Sequence, residues 1–177
     1  MDTASLAPLL DALAFAAHKH RKQRRKDVEA SPYINHPIAL ARVLAVEAGI
    51  KDEKTLIAAI LHDTVEDTET TVEELSLRFG GKVAAVVAEV TDDKSLPKRH
   101  RKQAQIDHAP HLSKRAKQVK LADKICNLRD VAQSPPRGWP LRRQRAYFDW
   151  AKRVVDGLRG AHPRLEALFD EAFRSRP

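Results

Sequence analysis

The chain holds a single cysteine, Cys126, in 177 residues. No disulfide can join two of its own segments, and a thiol-rich metal site is excluded. Aromatic residues make up only 5% of the sequence, few for a protein that stacks bases, and no nucleic-acid-binding motif is present. No run approaches the roughly 18 uncharged apolar residues that span a bilayer. Met1 to Ala17 carries no basic segment ahead of its apolar stretch, so neither an export signal nor a membrane anchor is expected. Internal repeats, low-complexity tracts, Asn-Gly hairpins and convincing period-two strands are also missing. The expectation is a cytoplasmic protein in a reducing compartment. Acidic side chains are in deficit, 24 Asp and Glu against 32 Lys and Arg, for a formal charge of +8. That field favours an anionic partner without saying which anion.

What is present is helical. Apolar residues recur at helix spacing, as at Leu56, Ile57, Ile60 and Leu61, at Val83, Val86, Val87 and Val90, and at Tyr147, Trp150, Val154 and Leu158. Punctuation agrees: Pro37 suits the first position of a helix, Thr71 and Glu74 have capping-box spacing, and Gly80-Gly81 reads as a stop. Helices are expected over 114–130 and 141–158. Asp27–Asn35 and Asp92–Lys102 are polar and contain proline, so they read as loops, and Ser134–Gly138 reads as a rigid turn. The length suits one domain. The fold expected is all-α, a single domain over residues 1–177 with roughly seven to nine helices.

Three separated segments offer metal-ligating side chains: His36 in YINHP, His62-Asp63 in ILHDTVEDT, and Asp123 in VKLADKICNLRD. Two imidazoles and two carboxylates suit a borderline divalent ion such as Mn²⁺, Fe²⁺, Co²⁺ or Zn²⁺, and four protein ligands on an octahedral ion leave room for water and substrate. His62 and Asp63 end an apolar helical run, where unpaired charge is expensive and a cation would relieve it. Glu66 and Asp67 follow one turn later, on the same side if the helix continues, where they could hold or deprotonate an attacking water. A bare His-Asp pair is more often a capped helix end than a ligand pair. The company of His36, Glu66-Asp67 and Asp123 is what favours a site.

Together with FAAHKHRKQRRKD, FGGKV, EVTDDKSLPK and GWP with YFDWA, these segments resemble the HD-domain hydrolases of the RelA/SpoT superfamily, most closely the single-domain small alarmone hydrolases of the metazoan-type branch. The resemblance runs from about Ala14 to Leu158. The stretch between Arg25-Lys26 and Pro32-Tyr33 is longer than in the bifunctional enzymes, which supports that branch, and no synthetase domain is expected. The resemblance implies an HD-domain helical bundle that hydrolyses the 3′-pyrophosphate of ppGpp and pppGpp to GDP or GTP and pyrophosphate. It implies that His36, His62, Asp63 and Asp123 bind one Mn²⁺ per chain, and that Glu66 and Asp67 form the catalytic acidic pair. It also places Arg25 and Lys26 near the nucleotide, Asn127 near the ribose and Tyr147 at the pocket edge. Cys126 departs from the apolar or aromatic residue usual there and reads as a core thiol beside Leu121, Ile125 and Leu128.

The cationic run His18–Lys26 divides into a functional Arg25-Lys26 and a solvated remainder. Lys94–Lys102 is a second cationic loop, either a lid over phosphates or plain surface. His100, His108 and His111 flank Pro110 and read as exposed rather than as a second metal site. Two other functions stay open: removal of the ribose phosphate of NADPH at the same site, and a basic nucleic-acid-binding module. The acidic cluster Glu66, Asp67, Glu69, Glu73 and Glu74 opposes the latter. A small nucleotide is therefore the expected partner, with neither nucleic acid nor membrane, and the sequence assigns no oligomeric state.

Overall fold

A computed structural model of the chain describes residues 3–177, with side chains from Leu6 onward. Met1 and Asp2, which open the stretch read for an export signal, lie outside the described residues. Helix α1 (Thr3–Lys19) turns Ala12, Phe15 and Ala16 to the core. After it the chain runs irregularly to residue 34, with one antiparallel bridge between Arg24 and Pro32. Helix α2 (Asn35–Arg42) starts two residues ahead of Pro37 rather than at it. The proline still falls in the first turn, where its missing N–H has no intrahelical partner to lose. α2 runs into one π turn, Val43–Glu47, and Gly49 leaves it at φ +70°, a conformation that favours glycine.

Helix α3 (Glu53–Leu61) is capped by Asp52, which accepts the Thr55 N–H at 3.0 Å, and it buries every residue from Thr55 to Leu61. The helix does not continue through Glu66. Asp63 sits at φ −100°, ψ −1°, and the chain restarts as the single turn α4 (Thr64–Asp67). Helix α5 (Val72–Phe79) uses half of the expected capping box: Thr71 accepts the Glu74 N–H at 3.1 Å, while the Glu74 carboxylate goes to Lys19 instead. Gly80, at φ +87°, ends α5 and opens α6 (Gly81–Val90).

Helix α7 (Lys98–His108) corrects the second expected loop, which ends at Pro97. None of its residues is buried, so it has no apolar period to reveal it. His100, His108 and His111 are exposed, as expected. Helices α8 (Lys114–Gln133), α9 (Leu141–Asp156) and α10 (Pro163–Phe173) complete the chain. Ser113 caps α8, and Gly138, at φ +78°, lies in the turn between α8 and α9.

Nine helices of eight residues or more, with the single turn α4, make the described residues all-α, without a strand. This matches the expected class and helix number. α8 is the axis: α2, α3, α6, α9 and α10 pack against it, and ten of its 20 residues are buried. One buried apolar cluster extends from Ala12 to Ala172. Among the described residues no helix is long and apolar enough to cross a membrane.

Candidate active site

The interruption after α3 sets the geometry. His62 directly follows that buried helix as its C-cap, and its Nδ1 lies 2.8 Å from the Ala59 carbonyl oxygen. A carbonyl only accepts, so Nδ1 carries a proton, and Nε2 is the nitrogen whose lone pair the ring can offer a cation. That Nε2 is buried without a hydrogen-bond partner, although Asp63 Oδ2 is 2.9 Å away. His36, in the first turn of α2, is 4% exposed, its ring centroid 5.3 Å from that of His62 and its Nε2 3.2 Å from Asp123 Oδ1 on α8. Ligand atoms of His36, His62 and Asp123 all lie within 4.8 Å of one another. Asp63 joins this group through His62, and its Oδ2 also accepts the Tyr33 hydroxyl.

The electrostatics fit a divalent cation. A cavity of about 230 Å³ is lined by five carboxylates (Asp63, Glu66, Asp67, Asp92, Asp123) against Arg25, Lys120 and Lys124, an excess of two negative charges. Burial disfavours a charged His62, yet the Asp63 and Asp123 carboxylates outweigh it and push its pKa up to about 9. Burial likewise opposes ionised Asp123, but Lys124 and His36 hold it well below the usual carboxylate range. A field this negative, facing an imidazole nitrogen with no partner, suits a bound metal.

Glu66 and Asp67 lie on α4 and line the same cavity. Burial raises the Glu66 pKa, helped by the charges of Asp92, Asp63 and Asp67, while the Asp92 N–H, donating to Glu66 at 3.0 Å, opposes the rise. Asp67 accepts the Gln23 amide at 2.8 Å and is also bonded by Lys94. Arg25 pairs with Asp130, and its guanidinium carbon is 5.7 Å from the Tyr33 ring centroid. Asn127 donates to Asp123 Oδ1 at 2.6 Å. Arg25, Asn127 and Tyr147 line both this cavity and an adjoining one of about 960 Å³. Exposed Lys26 lines only the larger.

The sequence reading passed over four side chains. Tyr33 stands in the YINHP motif with no task that the sequence assigns, and Gln23 and His20 fall in the run that reads as solvated. His20 is instead 2% exposed, with Nδ1 2.6 Å from Gln23 Oε1. Lys124, 3% exposed, lies 2.9 Å from Asp123 Oδ2 and 4.6 Å from the Trp150 ring centroid. Its place between Ala122 and Ile125 in the apolar part of α8 was the available signal.

Known proteins resemble this chain in sequence and in fold. A family model described as HD domain matches residues 12–147. A Mus musculus protein named guanosine-3′,5′-bis(diphosphate) 3′-pyrophosphohydrolase MESH1 is 56% identical over 170 residues, covering 96% of this chain and 95% of its own. The Drosophila melanogaster protein of the same name is 51% identical over 176 residues, covering 99% and 98%. A solved structure described as a metazoan ortholog of SpoT that hydrolyzes ppGpp and plays a role in starvation responses superposes with a TM-score of 0.93, at 52% identity over 96% of both chains. The matched span contains His36, His62-Asp63, Glu66-Asp67 and Asp123, and on this evidence the chain belongs to the HD-domain family.

Proposed function

We propose that the chain, acting as one domain, hydrolyses the 3′-pyrophosphate of ppGpp and pppGpp, releasing GDP or GTP and pyrophosphate. The observation that carries this is the acidic pair Glu66 and Asp67 facing the same cavity as the His36, His62 and Asp123 cluster. The relatives named for this reaction match over nearly their whole length.

His36, His62, Asp63 and Asp123 would hold one Mn²⁺. A divalent ion held there supplies Lewis acidity to a phosphoryl oxygen and to the attacking water. The residues of the chain do the rest. Asp67, held by Gln23 and Lys94, orients the water for in-line attack on the 3′-phosphorus. Glu66, whose raised pKa keeps it ready to exchange a proton, takes the water's proton as the P–O3′ bond breaks. Glu66 passes that proton to the departing ribose oxygen, and the negative charge of the pyrophosphate meets Lys120 and Lys124. Asn127 and Tyr147 border the sugar, and Arg25 and Lys26 border the rest of the nucleotide.

The test is turnover of ppGpp by metal-stripped protein with and without Mn²⁺, followed by anion-exchange chromatography beside a Glu66→Gln, Asp67→Asn double variant. GDP and pyrophosphate should appear only with Mn²⁺ and the intact pair. NADPH is the comparison substrate, because it too carries a phosphate on a ribose. Loss of its 2′-phosphate without turnover of ppGpp would keep the site and overturn the substrate.

A further inference from the structure

Along α9 and the turn that precedes it, three aromatic rings form a ladder: Trp139 and Tyr147 centroids are 5.7 Å apart, Tyr147 and Trp150 5.3 Å. Each carries a cation. The Arg143 guanidinium carbon lies 4.3 Å from the Trp139 centroid, and Lys102 Nζ lies 4.6 Å from that of Trp150 and 5.6 Å from that of Tyr147. Trp150 also anchors the backbone of α7, its Nε1 donating to the Lys102 carbonyl at 3.0 Å. A cation held by a ring face is fixed in place but not neutralised. Lys124 has Asp123 as a counter-ion; Lys98, Lys102 and Arg143 have none among the described residues.

The charges that act on Lys98 and Lys102 are all positive. Burial and then Arg143, Lys26 and Arg101 depress the Lys98 pKa, and burial and then Lys98, Lys124 and Arg143 depress that of Lys102. Converging cations without a paired carboxylate repel one another and attract an anion. They lie on the wall of the larger cavity, and Tyr147 belongs to both cavities, so the wall begins where the catalytic cluster ends.

We propose that Lys98, Lys102 and Arg143 form a second phosphate subsite, which takes the 5′-phosphate chain of the nucleotide whose 3′-pyrophosphate lies at the metal cluster. This rests on the reaction proposed above. The enzyme thereby reads phosphates at both ends of the sugar, with rings holding Lys102 and Arg143 at fixed positions for a charge-assisted contact.

The experiment uses manganese-loaded protein and two single variants at exposed positions, Lys98→Ala and Arg143→Ala, each first checked for an unchanged thermal melt. Calorimetry measures binding of GDP, which has no 3′-phosphate to hydrolyse, and of guanosine, which has no phosphate at all. Each variant should weaken GDP binding by about tenfold, as expected for loss of a charged hydrogen bond, and leave guanosine binding unchanged. In turnover of ppGpp each should raise KM by more than it lowers kcat. GDP binding that survives both substitutions, guanosine binding that falls in step with it, or GDP that binds the unaltered protein no tighter than guanosine overturns the subsite. The expected GDP contrast without turnover of ppGpp overturns the reaction and leaves the subsite standing.

Discussion

Asp52 Oδ2 accepts the Thr55 N–H at the head of α3 at 3.0 Å and Arg115 Nε on α8 at 2.8 Å. One carboxylate thus caps the helix that leads into His62 and ties it to the helix that carries Asp123. Asp52→Ala should cost about 1 kcal/mol for the lost cap. Arg115→Ala should cost less, because the pair is two-fifths exposed and screened. Thermal melts of the two variants order these effects; equal losses would refute the division.

The same carboxylate gives a pH signature. Hydrogen bonding by Arg115, aided by Thr55, holds its pKa well below the usual range. A lowered folded pKa means stability present above the ordinary Asp value, near ~4, and lost as pH falls below it. The difference in Tm between the parent and Asp52→Asn should be constant from pH 7 to 5 and shrink below about pH 4. A gap that widens in acid would show the opposite linkage.

Gln23 bridges a buried His20 to Asp67. Gln23→Ala should lower kcat roughly ten- to hundredfold by freeing the Asp67 carboxylate, with Mn²⁺ affinity by calorimetry within about twofold of the parent. Gln23→Glu, which sets a second carboxylate beside Asp67, should be worse. An unchanged kcat in both would remove Gln23 from the catalytic arrangement.

Gly157 has an ordinary φ of −77°, so only space restricts it. A Cβ there would meet Ala109 Cβ at 2.9 Å and Pro110 Cδ at 3.0 Å, neither of which is a flexible chain end. Gly157→Ala should destabilise by about 1–3 kcal/mol through overpacking. A melt equal to or above the parent would show that the 109–111 turn yields.

Cys126 is 3% exposed, and burial pushes its thiol up to about 12, with Asp123 and Asp130 adding to the rise. The folded protein should resist a thiol-specific disulfide reagent at pH 8 and react fully in denaturant. Rapid labelling of the native state would contradict the core placement.

The helices with apolar stripes could be read from the chain, because burial of Leu56 through Leu61, or of Val83 through Val90, imposes a period on the sequence. α7 could not: it lies on the surface with no buried residue, held by Trp150 and by the Gln105 amide on Asp92. The spacing that brings His62 near Glu66 was visible, but the break at Asp63 was not, since a two-residue interruption leaves no mark on apolar periodicity. Candidate ligands could be named because they are rare polar groups in apolar segments. Their supports, Tyr33 and Gln23, act through hydrogen bonds across the fold that local sequence does not encode.

His36, His62 and Asp123 come from three distant stretches of a chain that has no disulfide. A disulfide would stabilise such a fold by restricting the denatured ensemble; an ion shared among these three stretches does so by binding the folded chain and not the unfolded one. Stability and catalysis then draw on one occupancy, so scarcity of the ion lowers the lifetime of the protein as well as its turnover. Chelation should therefore lower Tm together with activity, and the cell's divalent-ion supply becomes a control on how much of this protein persists.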